Sequence, residues 1–246
     1  MALRVQQPLA KLMPKDIIGS AATKALNLKA ALQSMVLLHN GDDPSRPTKS
    51  AVLPLEPGRH IAVIGPHAKA QRSLIQIDTQ AVCDVDGNYD CLVTPFDAIR
   101  LHNAGGVTHT ARGCDSVNGS TAGFEEALAL AQEADVIVFA GGIRSCGGSQ
   151  PGLTPGKAPP APDPDYSRCN SYHTTYVDGD QHLEAEAHDR RSIDLPDAQH
   201  QLLAALLKLK KPLVIVLLNG GAVAIEEEMA AARAGAPLAV VDAFYP

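Results

Sequence analysis

Apolar and polar positions alternate along this chain in two rhythms. Short, mostly β-branched apolar runs stand at His60–Gly65, Val107–Ala111, Val136–Gly141, Leu213–Leu218 and Leu238–Ala243. Their length and the turn formers that close several of them predict buried strands. Between the runs, apolar residues recur three and four apart, the spacing that lines one face of a helix. Helices are predicted over Thr94–His102, over Ala122–Ala134 with Phe124, Ala127, Leu128 and Ala131 on one face, over Pro196–Leu209 with Leu202, Ala205, Leu206 and Leu209, and over Ala224–Ala234. Upstream, Leu28, Ala31, Leu32, Met35 and Val36 form a similar stripe and predict a helix over Lys24–Leu38 that packs one face onto a sheet. Apolar strands alternating with amphipathic helices predict an open α/β sandwich, a mostly parallel sheet covered by helices on both faces.

One connection breaks the pattern. From Ile143 to Leu195 the chain has no persuasive periodicity, and compact domains rarely carry structureless connections beyond about 15 residues. The Pro- and Gly-rich part, Cys146–Asp165, reads as a disordered insertion, and Tyr176–Leu195 as a segment folded against the carboxyl edge of the sheet. The domain organisation expected is an N-terminal extension or linker remnant over residues 1–23 and a sandwich domain over residues 24–246, with a long loop insertion over 144–180.

With 246 residues, 45% of them hydrophobic, the chain can bury a full core. A formal net charge of -6 argues against a nucleic acid or an anionic membrane surface as partner. No apolar run approaches the roughly 20 residues that span a bilayer, and the first residues lack the basic and apolar regions of a signal peptide. A soluble chain is the expectation. The cysteines are Cys83, Cys91, Cys114, Cys146 and Cys169, an odd set without a CxxC pair. Cys83 with Cys91, or Cys146 with Cys169, could close loops in an oxidising compartment, and buried thiols are the simpler expectation.

Two nucleotide signals fail. The turn Gly65-Pro66-His67-Ala68 lacks the further glycines that let a pyrophosphate approach the backbone. Gly156-Lys157 resembles the end of a phosphate loop, but Pro151 stands where glycine is needed and Ala158 where a hydroxyl would hold magnesium. His173, His182, His188, Asp189 and His200 match no standard zinc spacing, because His182 and His188 lie six apart rather than four. No metal and no cofactor are expected.

The segment Gly179–Pro196 carries the densest chemistry, with Glu184, Glu186, Asp189, Arg190 and two histidines in one stretch. Hydrolysis of a glycoside needs a carboxylic acid that protonates the departing oxygen and a second carboxylate across the bond. Glu184 or Glu186 could be the proton donor, with Asp189 and Arg190 tuning charge or supporting the loop. The plainer reading is a polar loop with solvated acids.

In order along the chain stand Ala30-Ala-Leu-Gln-Ser-Met-Val-Leu-Leu-His-Asn40, Ile61-Ala-Val-Ile-Gly-Pro66, Gly87-Asn-Tyr89, Thr94-Pro95, Gly113-Cys114, Ala134-Asp-Val-Ile-Val138, Glu184-Ala-Glu-Ala-His-Asp-Arg190, Ile193-Asp-Leu-Pro196 and Tyr245-Pro246. Their order and spacing resemble the C-terminal α/β-sandwich domain of family 3 glycoside hydrolases, of the β-xylosidase and β-glucosidase type. The resemblance implies a retaining, exo-acting β-glycosidase acting on a β-linked saccharide. It further implies an N-terminal barrel that supplies the aspartate nucleophile and most of the sugar pocket, while the sandwich lends an acid/base glutamate on a loop. No segment before Lys24 is long enough for that barrel, so the nucleophile is expected to be absent from this chain. The chain then reads either as an accessory domain served by a barrel on another polypeptide or as a truncated gene product, and alone it is expected to be inactive. Glu186 is the first choice for the acid/base and Glu184 the second, because the family's glutamate precedes a Gly-x-Asp-Arg run matched here by Ala187-His188-Asp189-Arg190. Ala187 replaces that glycine, which permits positive φ more readily than alanine. Gln33, His39 and Ala198 are further departures, and the chain stops before a Gly-rich continuation. The alternative is a non-catalytic carbohydrate-binding or protein-interaction module derived from the same domain.

Overall fold

The computed structural model describes residues 17, 19–45, 50–71, 92–115, 120–143, 190 and 192–244. Contacts divide the chain into two compact units, residues 1–36 and 37–246. The first contains helix α1, Ala21–Ser34, whose N-cap Ser20 accepts a hydrogen bond from the Thr23 amide. None of its residues is buried.

The second unit is built on a six-stranded sheet. Its strands are β1 (Val36–Asn40, beginning at the last residue of the first unit), β2 (His60–Ile64), β3 (Val107–Ala111), β4 (Val136–Gly142), β5 (Leu213–Leu218) and β6 (Leu238–Asp242), in spatial order β1-β6-β5-β4-β2-β3. All pairings from β3 through β6 are parallel. The helices are α2 (Pro95–His102), α3 (Phe124–Glu133), α4 (Asp197–Leu207) and α5 (Glu226–Arg233). Successive side chains of a strand point to opposite faces, so each central strand feeds two cores. Ala62, Ile64, Ile137, Phe139, Ile215, Leu217 and Val240 pack with Ala127, Ala131, Leu202, Leu203 and Leu206 of the helices on one face. Ile61, Val63, Val138, Ala140, Val214 and Ala239 pack with Val52, Phe96 and Ile99 on the other. The α/β sandwich expected from the sequence is the observed architecture.

One expected element is corrected. The helix predicted to reach Leu38 ends at Ser34, and Val36–Asn40 is an edge strand instead. The reason is tertiary: β1 lies beside β6, and the chain just after it is tied down, with the Gly41 amide donating to the Leu238 carbonyl at 2.9 Å. The Asn40 carboxamide also donates to the Leu53 carbonyl at 3.0 Å and accepts from the Leu53 amide at 2.9 Å. These bonds outweigh the modest helical preference of a five-residue stretch.

The sheet turns over at one point. After β2 the chain crosses to β3 on one side, then returns to build β4, β5 and β6 on the other. The carboxyl ends of β2 and β4 therefore flank a topological switch, where open α/β sheets hold their ligands.

Candidate functional site

The switch point is shaped by glycine. Gly65, at the end of β2, has φ +124°, and a Cβ there would collide with the Ala140 carbonyl oxygen of β4. Gly142, the last residue of β4, has φ +130°, and a Cβ would run into the carbonyl oxygen of Leu218. Both positions bring neighbouring backbones closer than any side chain allows. The turn after Gly65 puts His67 in the interior at 1% exposure, with its amide donating to Ala140 at 3.0 Å. After β5 the turn is held by Asn219, also buried, whose carboxamide donates to the Gly221 carbonyl at 2.9 Å.

Chain leaving β4 at this point returns at α4, and the described residues at the two ends are fastened together. Gln199, fully buried in the first turn of α4, accepts from the Gly142 amide at 2.8 Å and donates to the Gly142 carbonyl at 2.6 Å. A single carboxamide satisfies both backbone groups of the residue where β4 ends. Gly141 makes room for it, because a Cβ there would press on Gln199 Oε1 at 2.5 Å and on the Phe139 ring.

The returning limb is docked separately. Arg190 Nη2 donates to the Ala222 carbonyl at 2.7 Å, the Ala224 amide donates to the Ile193 carbonyl at 2.7 Å, and Asp194 forms a parallel bridge with Ala224. Ser192 and Asp194 close a local turn, the Ser192 hydroxyl donating to the Asp194 carboxylate at 2.7 Å and accepting from the Asp194 amide at 3.1 Å. Leu195 then enters the core and Pro196 starts α4.

Of the residues singled out from the sequence, Arg190 lies in this limb, with its guanidinium donating to the backbone of residue 222. Glu184, Glu186 and Asp189 lie outside the described residues, as do His173, His182, His188, Gly156, Lys157 and the cysteines other than Cys114, which is buried. His200 belongs to α4, where its Nδ1 sits 2.9 Å from Glu228 Oε1 of α5. That hydrogen bond, together with the negative charge of Glu228, Glu227 and Asp194, raises its pKa above the ordinary 6.5 against the opposing effect of burial. Among the described residues no group of three His, Cys, Asp or Glu could hold a metal, and no helix is long and apolar enough to cross a membrane.

Two residues that matter here escaped sequence reasoning. Gln199 lies three positions before Leu202 and Glu228 three after Ile225, so each is polar on an apolar helical stripe. A polar residue on a buried stripe signals a specific partner.

The model of the glycosyl hydrolase family 3 C-terminal domain matches residues 35–246. The chain belongs to that family. An exo-1,4-beta-xylosidase of Emericella nidulans is 32% identical over 208 residues, covering 82% of this chain and 19% of the relative. A solved family 3 exo-beta-xylosidase in complex with a xylobiose aziridine activity-based probe superposes with a TM-score of 0.59 at 28% identity, over 92% of this chain and 22% of that one. The beta-glucosidase of Listeria innocua in complex with isofagomine shares the fold, with a TM-score of 0.59 at 22% identity over 95% of this chain and 24% of that one. The family 3 domain described here spans about a fifth of the length of the curated relatives it matches. In those relatives it is one part of a larger enzyme.

Proposed function

We propose that this chain is the proton-donating half of a retaining β-glycosidase acting on a β-xyloside or β-glucoside. Its sandwich is taken as residues 24–246 with the insertion 144–180, and the nucleophile and most of the sugar pocket lie outside these 246 residues, on a barrel. The observation that carries the proposal is where the segment holding Glu184 and Glu186 is rooted. It departs from the central strand at the topological switch and comes back through a limb pinned to the 222–224 backbone, both ends joined through Gln199 and Gly142. The described residues on either side of that segment lie at the edge where open α/β sheets bind ligands. The sequence similarity to β-xylosidases supports the substrate class.

In this reading Glu186, with Glu184 as second choice, protonates the departing glycosidic oxygen and later takes a proton from water, while the barrel's carboxylate attacks the anomeric carbon. Arg190, held by Ala222, fixes the end of the loop, and Asp189 beside it supports the loop or binds substrate. The test mixes this chain with a barrel polypeptide of the family and compares two β-xylosides. Glu186→Gln is expected to lower kcat/KM, which reports the first step alone, by about a hundredfold or more on an alkyl xyloside, and far less on a nitrophenyl xyloside whose leaving group needs little protonation. Equal loss on both substrates, or none, overturns the assignment of Glu186, and the same comparison on Glu184→Gln decides the second choice. Ala187, where the family has glycine, favours the rival reading of a binding module without catalysis. Saccharide binding with no turnover in any mixture would establish that rival.

A further inference from the structure

The return limb and the turn after β5 form a small module. Residues 193–194 and 224 pair as two short extended pieces, each runs directly into a helix, and the helices α4 and α5 pack together. One polar contact between side chains pins the two helices near their starts, His200 Nδ1 to Glu228 Oε1 at 2.9 Å. Glu228 is 2% exposed, and its second oxygen, Oε2, has no hydrogen-bond partner among the described residues. A carboxylate so placed depends on the imidazolium beside it, since little water reaches it to share the charge.

We propose that His200 and Glu228 form a pH-sensitive latch that holds α5, and with it the 222–225 segment that receives the return limb, onto α4. The groups acting on His200 reinforce a positive charge there: Glu228 and Glu227 from α5 and Asp194 from the limb. Helix α3, also packed on α4, turns Glu125, Glu126 and Glu133 to solvent, and β4 has no ionisable side chain. No basic side chain acts on His200 from these elements. The hydrogen bond that Nδ1 donates to Glu228 holds the imidazole pKa above 6.5. A folded value raised above the unfolded one gives stabilisation that is full below the unfolded pKa and lost as pH rises through the folded pKa. The latch is therefore tight in mild acid and slackens as pH rises through the folded pKa of His200, which stands above 6.5.

The inference needs no barrel and no substrate, so it is tested on this chain alone by amide exchange and imidazole NMR between about pH 5 and about pH 9. Protection of the Ala224 and Met229 amides, corrected for intrinsic exchange, is expected to fall several-fold across the titration of His200 while amides in β4 stay unchanged. His200→Gln, which can still hydrogen-bond but cannot carry charge, and Glu228→Gln should each flatten that dependence. If both variants fail to fold, the unmodified chain still decides the matter. A His200 resonance titrating at or below the ordinary histidine range, or Ala224 protection independent of pH, overturns the latch.

Discussion

Gln199 closes on both backbone polar groups of Gly142, accepting at 2.8 Å and donating at 2.6 Å across 57 residues of sequence. The pair is buried, so neither group of Gly142 can turn to water when the carboxamide is removed. Gln199→Leu fills the space but orphans a donor and an acceptor, each costing about 1–3 kcal/mol. A loss of about 3 kcal/mol in unfolding free energy, measured in urea, is expected. A loss below about 1 kcal/mol would mean that the two ends of the loop are held by something else.

Gln199→Glu separates geometry from hydrogen-bond polarity. The new carboxylate keeps an acceptor for the Gly142 amide but sets a second oxygen against the Gly142 carbonyl, in a site with no exposure. Burial and that repulsion favour the neutral acid, so its folded pKa is expected to stand above the unfolded glutamate value. The variant then binds a proton more readily folded than unfolded, and its deficit relative to the parent shrinks as pH falls. Urea midpoints of parent and variant at about pH 5 and about pH 8 read this directly, and a deficit equal at both would contradict the paired geometry.

Gly142→Ala tests the close approach of β4 to β5. The residue has φ +130°, and a Cβ would meet the Leu218 carbonyl oxygen, which belongs to the backbone and cannot rotate away. Strain of this kind costs about 3 kcal/mol or more and falls on the central strand. Thermal unfolding should show a drop of several degrees at least, in contrast to Gly105→Ala, where φ is positive but nothing lies within 4 Å of the added Cβ.

The rhythm of the sequence contained the core of this fold because burial imposes it. Ile61, Val63 and Val138 face one layer while Ala62, Ile64 and Ile137 face the other, which is why those strands read as continuous apolar runs. Val36–Asn40 was not legible as a strand. Its apolar residues continue the helical spacing from Leu28 and Leu32, and only its place beside β6 settles the outcome. The acids of the candidate site are a different case. Glu184 and Glu186 stand out by residue type and by resemblance, whereas Gln199 and Glu228 stand out only once their helices are seen to be buried on that side. Sequence periodicity marks such a residue as anomalous but cannot say which backbone or side chain, 57 or 28 positions away, answers it.

Asn103 offers a last test, at the end of the sheet opposite the candidate site. Its Oδ1 accepts from the Gly58 and Arg59 amides at 2.9 and 3.2 Å, and its Nδ2 donates to the carbonyls of Arg59 and Val107 and to the Thr108 hydroxyl. At 6% exposure it replaces water for the chain entering both β2 and β3. Gly106 is packed so tightly against this side chain and the Arg59 carbonyl that a Cβ there would overlap both. Asn103→Ala leaves several backbone groups partly unsatisfied and should cost about 2–4 kcal/mol, and Asn103→Asp should not recover that loss at neutral pH, because its second oxygen faces the Arg59 and Val107 carbonyls. The edge strand β3 depends on this cluster at its start, whereas the Gln199–Gly142 pair lies at the other end of β4. Amide exchange should therefore quicken at Val107 and Thr108 and leave Gly142 protected, and a uniform increase across the sheet would show that the two ends do not open independently.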